Sequence, residues 1–145
     1  MNFSDFYRIT EDIKSKHPIW FELNSRNVPT DSDIKLVESN LNIILNDDYK
    51  NFVKRYNGGY FAFTKILTVC SEDELYLLNF NSSEFVEKYK FVTVGDMETG
   101  DMVGFKVVNG LCGSEVFVFN HEKKTVENSN IGNFFDYILK YGYNL

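Results

Sequence analysis

The first third of the chain repeats apolar residues every three or four positions, which is the spacing of one face of an α-helix. The first such stripe predicts an amphipathic helix over residues 3–16, with Ser4 as a possible N-cap and Pro18 ending it. The apolar segment 19–23 is short, so it forms either a strand or a packed connection. The stripe consists of Phe3, Phe6, Ile9 and Ile13.

Two further helices are predicted, each preceded by residues that cap helices. Thr30 and Asp33 form a capping box, with Asp in place of Glu, that opens a helix running to about Asn40. Asn46 caps the next helix, over residues 47–56, whose apolar face consists of Tyr49, Phe52, Val53 and Tyr56. This helix ends at Asn57, Gly58 and Gly59, because Asn and Gly tolerate the left-handed conformation that a helix C-terminus needs.

After Tyr60 the apolar period changes from 3.6 to about 2, the period of a β-strand. Ser82 or Ser83 caps a short helix, and Asn130 caps a last one. The Asn-Gly pair at Asn109 favours a hairpin, in a loop longer than two residues. Strands are predicted over residues 66–70, 75–80, 91–94, 102–108 and 115–120, with a short one near Val126.

The order of these elements predicts the fold class. Long helices come first, a run of strands follows, and one helix closes the chain. We therefore expect an α+β fold: a mainly antiparallel sheet of about five to six strands, with N-terminal helices and a C-terminal helix packed on it. The chain has 145 residues and no internal repeat, linker or low-complexity segment, so we expect a single domain over residues 1–145.

Composition indicates a folded protein of the cytoplasm. Hydrophobic residues make up 43% of the chain and aromatic residues 17%, which suits a globular core. No apolar run reaches the roughly 18 residues of a membrane span, and we expect no contact with a membrane. The N-terminus lacks the basic and apolar regions of a signal peptide. Cys70 and Cys112 are too few for a disulfide framework, and we interpret them as buried core thiols.

The charge balance disfavours one class of ligand. The chain has 15 basic and 21 acidic residues, a formal net charge of −6. This balance disfavours direct binding of nucleic acid, because phosphate binding needs a basic surface. It permits a basic protein partner, although mild acidity also serves solubility alone.

Few residues could carry catalysis or hold a metal ion. His17 and His121 have no partner at a metal-ligand spacing, and the two cysteines form no CxxC pair. The GxSxG motif is absent, although Ser-His-Asp and Cys-His sets assemble in space rather than in sequence. The Gly58-Gly59 pair follows a helix, whereas phosphate-binding glycines precede one. We expect no metal, no cofactor and no enzymatic activity.

The stretch around residues 41–60 resembles a known family. Residues 38–59 follow in order, apart from its Pro, the pattern E…L…LP.DY..F….NGG, which is the signature of the SUKH superfamily, named for yeast cell-wall-assembly regulators and their bacterial relatives. Asn42 and Asn46 stand where that family usually has Gly and Pro. The matching residues are Glu38, Leu41, Leu45, Asp48, Tyr49, Phe52, Asn57, Gly58 and Gly59.

Later segments extend the resemblance. VGDMETGDMVGF resembles the family's IG..G.GD segment through Gly95, Gly100 and Asp101. EVFVFNHE is similar to the end of its V….DHE strand, and IGNFFDYIL to its closing helix. The resemblance thus runs from about Ile34 to the C-terminus. It implies that the motif residues Asp48, Tyr49, Phe52, Asn57, Gly58 and Gly59 are structural.

The resemblance also implies a function. Bacterial SUKH proteins are associated with immunity to polymorphic toxins, which are typically nucleases, whereas the yeast relatives act in cell-wall signalling. The chain resembles the bacterial group, since it is one compact domain rich in Asn, Lys, Ile and Phe. We therefore predict a cytoplasmic immunity protein that binds and neutralises a basic cognate toxin. The alternatives are a regulatory interaction module of the cell-wall-signalling type and, third, an enzyme.

Two acidic loops are the candidate partner-binding sites. Between residues 72 and 101 the chain has eight acids, at 72, 73, 74, 84, 87, 96, 98 and 101, and only two bases, at 88 and 90. A nuclease has a basic active face, so carboxylates on its inhibitor would steer the encounter. A hard cation or a plain solvated turn would also explain such acids, but the Ca²⁺-loop spacing DxDxDG is missing. The candidates are Glu72, Asp73 and Glu74 on one loop and Asp96, Glu98 and Asp101 on the other.

Overall fold

The computed structural model describes all residues from 1 to 145. The helices are α1 (Phe3–Lys16), α2 (Asp31–Leu41), α3 (Asp47–Arg55), α4 (Ser83–Tyr89) and α5 (Phe134–Tyr137). The strands are β1 (Gly59–Phe61), β2 (Thr64–Ile66), β3 (Phe91–Asp96), β4 (Met102–Val108), β5 (Leu111–Asn120) and β6 (Thr125–Asn133). Two 3-10 helices and a π-helical turn complete the regular structure: Pro18–Phe21, Leu77–Asn79 and Ile138–Gly142. None of the helices combines the length and the apolar composition that crossing a membrane requires.

The six strands form one sheet in the order β1-β2-β3-β4-β5-β6. Each strand pairs with its neighbours in sequence, and all of these pairings are antiparallel. Antiparallel neighbours need only short connections, so the sheet is a simple meander. The predicted α+β fold, with N-terminal helices, a mainly antiparallel sheet of five to six strands and a C-terminal helix, is confirmed.

Polar side chains cap the helices, and two of the predicted caps are wrong. The Thr30–Asp33 capping box and the Asn46 cap are present. The cap of α1 is Asn2 rather than Ser4, because the helix begins at Phe3. The last helix is capped by Asn133 rather than Asn130, which still lies in β6.

The connection between β4 and β5 is tighter than the sequence predicted. Only Asn109 and Gly110 separate the strands, with φ values of 53° and 76°. A type I′ turn needs positive φ at both central residues, which explains the Asn-Gly pair. The predicted hairpin is present, but the expected loop of more than two residues is wrong, since Val108 pairs directly with Leu111.

The apolar segment after β2 is buried without forming the two predicted strands. β2 ends at Ile66, and residues 75–80 contribute one isolated bridge and then a 3-10 helix. Leu75, Tyr76 and Leu77 are nevertheless buried. An apolar run reports burial, and here a single parallel bridge stands in place of a sheet ladder. The N–H of Thr68 donates to the Leu75 carbonyl and the N–H of Leu77 donates to the Thr68 carbonyl, both at 2.8 Å.

The main core lies between α1, α3, α5 and one face of the sheet. Phe52 is at its centre and is fully buried. Its ring centroid lies 6.1, 5.0 and 5.2 Å from those of Phe6, Phe61 and Phe134, respectively. Aromatic pairs at these distances add about 0.5–1.5 kcal/mol beyond the burial of their area. The core thus joins residues from both ends of the chain.

A smaller aromatic cluster covers part of the other face of the sheet. Phe119 alternates along β5 with Val118, which pairs with the core residue Val103. Phe119 therefore points away from the main core. The rings of Phe85 and Tyr89, on α4, lie 5.2 and 4.9 Å from its ring.

The two edges of the sheet are built differently. Beside β1, Asn24 forms a bridge with Gly59, and the Trp20 carbonyl accepts from the N–H of Ala62. The other edge, β6, is irregular near its end, where Asn130 and Gly132 have φ values of 59° and 120°. The edge at β1 is thus partly covered, and the regular part of β6 is limited to residues 125–128.

Candidate interaction surface

The residues of the family pattern that lie in α3 anchor this helix against the buried core. The Asn46 side chain accepts from the N–H of Tyr49 at 2.8 Å. Tyr49 is fully buried and its hydroxyl donates to the Leu67 carbonyl. Burial raises the pKa of Tyr49 far above its usual range, so the hydroxyl stays a donor. Asp48, in the first turn, is partly exposed, and burial raises its pKa.

The connection from α2 to α3 depends on Glu38. Its carboxylate accepts from the N–H of Leu45 at 2.8 Å and lies 3.1 Å from the Lys50 ammonium. Asn42 ends α2 with a φ of 55°, which is the left-handed conformation that Gly provides in the family pattern. The departure from Gly therefore leaves this helix end intact.

Asn57 joins three segments of the chain beneath the first acidic loop. It has a φ of 59° and is buried. Its Oδ1 accepts from the N–H of Val69 at 3.1 Å, and its Nδ2 donates to Ser25 Oγ and Asp73 Oδ2. Gly58 continues the turn with a φ of 116°.

The first acidic loop contains one internal carboxylate and two exposed ones. Asp73 accepts hydrogen bonds from the side chains of Ser25, Asn27 and Asn57 at 2.9–3.1 Å. Glu72 and Glu74 are exposed and form no ion pair. Asp73 thus holds the loop in place, while its neighbours face solvent.

Neither cysteine is a reactive thiolate. Cys70 is buried behind this loop, and burial together with the carboxylates of Asp33 and Asp73 raises its pKa to about 11. Cys112 is partly buried, and its burial raises its pKa to about 12. Both groups stay protonated near neutral pH, and reactivity requires the thiolate.

The carboxylates of the second acidic loop are also bound within the chain. Asp96 Oδ1 accepts from the N–H of Glu98 at 2.8 Å, and Glu98 lies 2.9 Å from the Lys65 ammonium. Asp101 Oδ1 accepts from both the N–H and the Nδ1 of His121, at 3.0 and 2.7 Å. These two hydrogen bonds lower the pKa of Asp101.

The Asp101–His121 contact joins two separate segments, VGDMETGDMVGF and EVFVFNHE, which each resemble a motif of the family. His121 follows β5, while Asp101 precedes β4, so the two connecting loops lie at the same end of the sheet. Gly100 lies beneath the ring, and a Cβ there would approach His121 to 2.6 Å. Sequence reasoning assigned no partner to His121; the only signal was that both residues fall in segments resembling family motifs.

The two acidic loops are held by different segments of the chain. Lys65 of β2 pairs with Asp96, and the chain then runs along β3 in the opposite direction, so that the N–H of Leu67 donates to Val94. The loop of Glu72 lies beyond this point, away from Asp96. Nowhere in the chain do three or more His, Cys, Asp or Glu side chains gather as a metal site would require.

Comparison with known proteins identifies the family. The SUKH_6 family model, described as SMI1-KNR4 cell-wall, matches residues 31–138, which is most of the chain. A search of curated proteins gave no match. The match begins at the capped N-terminus of α2 and ends at Ile138, after α5. The chain belongs to the SUKH superfamily, whose members act through protein–protein contacts and include immunity proteins and cell-wall regulators.

Proposed function

We propose that this protein is an immunity protein that binds and neutralises a basic cognate toxin in the cytoplasm of the cell that makes it. The observation that carries the proposal is the family match over residues 31–138. The net charge of −6 supports a basic partner, such as a nuclease, whose active face must attract a polyanion. The inhibitor then acts by covering that face, and needs no chemistry of its own.

Glu72 and Glu74 are the carboxylates best placed for a direct contact with the partner. Both face solvent on a loop whose position is fixed by the hydrogen bonds of Asp73. A fixed loop loses little conformational entropy on binding, and exposed charge raises the association rate. Asp96 and Asp101 contribute to the acidic surface and also form hydrogen bonds that hold their own loop. Glu98 forms an ion pair with Lys65, so its charge is partly balanced.

The test starts from the gene neighbourhood: an adjacent toxin gene supports the proposal, and its toxin domain is then produced for the assays. Co-expression should restore growth, and the purified proteins should form a complex. Glu72→Lys with Glu74→Lys should slow association, most strongly at low salt, where screening is weak. The matched control is Glu122→Lys with Glu127→Lys, two exposed acids elsewhere on the surface. An unchanged, salt-insensitive association rate in the first variant would refute the role of this loop.

The description of the matching family favours a second candidate, a regulatory interaction module of the cell-wall-signalling type. The same complex-formation experiment separates the two functions. A regulatory module would bind a kinase or a wall-synthesis protein and would give no protection against any neighbouring toxin. An enzyme would instead show turnover.

We also infer that residues 1–145 form one SUKH-like domain, although the family match begins at residue 31. Phe6, on α1, packs against Phe52 and Phe135 inside the matched region, with ring centroids 6.1 and 4.7 Å apart. A chain that begins at residue 31 should therefore lose cooperative unfolding. Retention of a cooperative transition by that shorter chain would contradict the inference.

A further inference from the structure

Three exposed aliphatic side chains stand side by side at the tip of the β4–β5 hairpin. Ile44 forms a parallel bridge with Leu111, and Leu111 pairs with Val108 across the turn. Paired residues on neighbouring strands project from the same face of a sheet. Their exposed fractions are 50%, 58% and 64%, respectively. We call Ile44, Leu111 and Val108 the aliphatic row.

The aliphatic row is held rigidly. The N–H of Ile44 donates to the Gly110 carbonyl at 2.7 Å, and the N–H of Cys112 donates to the Ile44 carbonyl at 2.9 Å. Ile43 and Leu45, on either side of Ile44, are buried. Solvent-facing positions of a sheet accept polar residues, so the fold does not require three adjacent aliphatic side chains here. Contiguous exposed apolar side chains rimmed by polar residues are typical of interaction sites.

A groove borders the aliphatic row. It lies between α4 and the β4–β5 hairpin, has a volume of about 810 Å³, and includes Val108 in its wall. Its apolar lining comes from Leu41, Ile43, Val86 and Val107. The rest of its lining is polar, charged or glycine, including Glu84, Glu87, Lys90 and Lys106. The groove therefore places apolar and charged side chains together beside the row.

Charges around the aliphatic row are unbalanced. Asp47 and Asp48 line the surface beside Ile44 and Leu111, and Glu84 lines the groove; none of the three forms an ion pair. Two of the nearby bases form ion pairs, Lys50 with Glu38 and Lys90 with Glu87, whereas Lys106 lies over the Phe117 ring and keeps its charge. Three unpaired acids thus stand against one unpaired base. The charge left for a partner is therefore negative.

The spacing of the row selects the shape of the partner. Adjacent strands are about 4.8 Å apart, so the three side chains span about 10 Å in nearly equal steps. Along the apolar stripe of a helix, side chains three or four positions apart are separated by about 5–6 Å, which is near the spacing of the row. Residues on one face of a strand lie about 6.6 Å apart, which is a poorer match. We propose that the aliphatic row binds an amphipathic helix of a protein partner, with Lys or Arg flanking its apolar stripe. The proposal rests on the proposed function only for the identity of that partner.

The experiment uses a synthetic probe and the whole chain. A lysine–leucine peptide of about 18 residues, long enough to form a helix, is titrated into isotope-labelled protein and followed by NMR. Amides of residues 43–48 and 106–112 should shift. Val108→Thr with Leu111→Thr should weaken binding by about 10-fold, as the loss of a central apolar contact does. The matched control, Ile19→Thr with Leu23→Thr, changes two aliphatic side chains elsewhere that are even more exposed, at 73% and 75%.

Three results would overturn the proposal. One is equal binding of a glutamate–leucine peptide, which would show that the charge of the peptide does not matter, or of a scrambled peptide, which would show that the apolar stripe does not matter. Another is unchanged affinity in a folded Val108→Thr, Leu111→Thr variant. The third is dimeric wild-type protein in sedimentation with a monomeric variant, which would assign the row to a second copy of the chain. The peptide experiment does not involve the toxin. Failure of the toxin to bind would therefore refute the proposed function but would leave the proposal about the aliphatic row to be decided by the peptide.

Discussion

β4 and β5 pair at six registered positions, whereas β2 and β3 pair at only two. Where the ladder is long, backbone groups satisfy one another. Where it is short, side chains take the place of the missing strand: Asn81 accepts from the N–H of Thr93 at 2.8 Å and donates to its carbonyl at 2.9 Å. Beyond the end of β2, Asn57 accepts from the N–H of Val69 at 3.1 Å.

This difference predicts where the protein is sensitive to substitution. In a ladder, a changed side chain leaves the backbone hydrogen bonds in place. In the region of Asn57 and Asn81, a changed side chain leaves a buried backbone group without a partner, which costs about 1–3 kcal/mol. Pairs of similar substitutions in the two regions therefore test the comparison.

The largest effect is expected for Asn57→Ala. It removes the partner of the Val69 N–H and places Ala at a φ of 59°, so we expect a loss of about 3 kcal/mol in the free energy of unfolding. Asn109→Ala, at a φ of 53° in the exposed hairpin, should cost only about 1 kcal/mol. Urea unfolding measures both; equal losses would show that the Asn57 amide is dispensable.

Gly58→Ala and Gly110→Ala compare two glycines at positive φ. A Cβ at Gly58 would lie 2.9 Å from the Ile66 carbonyl oxygen, at a φ of 116°, and we expect a cost of about 2–3 kcal/mol. At Gly110 the φ is 76° and the nearest atom is 3.6 Å away, so about 1 kcal/mol is expected. Melting temperatures that fall equally in the two variants would contradict the close packing at Gly58.

Asn81→Ala should cost about 2 kcal/mol, because the buried N–H of Thr93 loses its partner. The control is Asn128→Ala in β6, where the side chain contacts only an exposed N–H. Its expected cost is within about 0.5 kcal/mol, as for most surface substitutions. Hydrogen exchange at Thr93 should accelerate in the first variant only; an unchanged rate there would remove Asn81 from this role.

The smallest effect is expected for Asp101→Asn, and it depends on pH. The pKa of Asp101 is lowered in the folded state, so its contribution is complete above the unfolded value of about 3.9 and is lost as the pH falls through the folded value. Both partners are partly exposed, so the contribution is under about 1 kcal/mol. The free energy of unfolding of the wild type should fall by this amount below about pH 4, whereas that of the variant should show no such additional fall. Parallel acid-unfolding curves would show that the Asp101 charge is not involved.

Local signals in the sequence predicted the parts of the fold that depend on local contacts. The Thr30 capping box and the Asn46 cap are formed by residues three positions apart, so the sequence displays both partners. The apolar run over residues 66–80 was misjudged because burial and strand pairing give the same pattern, and pairing depends on how far β2 extends beside β3.

The candidate site was less predictable because its partners are distant in sequence. Asp73 looked like a free carboxylate, yet its donors come from residues 25, 27 and 57. Asp101 and His121 meet only because two connecting loops lie at the same end of the sheet. The aliphatic row has no sequence signature either, since Ile44 and Leu111 become neighbours through a single bridge between distant segments.

The two edges of the sheet have a consequence for how recognition can change over time. The bridge at Asn24 occupies one side of β1, and the left-handed residues Asn130 and Gly132 interrupt β6. These features disfavour a partner that attaches by extending the sheet and favour one that contacts side chains. Surface side chains can be replaced singly at little cost to folding. Related proteins can therefore adapt to a changing partner through surface substitutions while the fold stays the same.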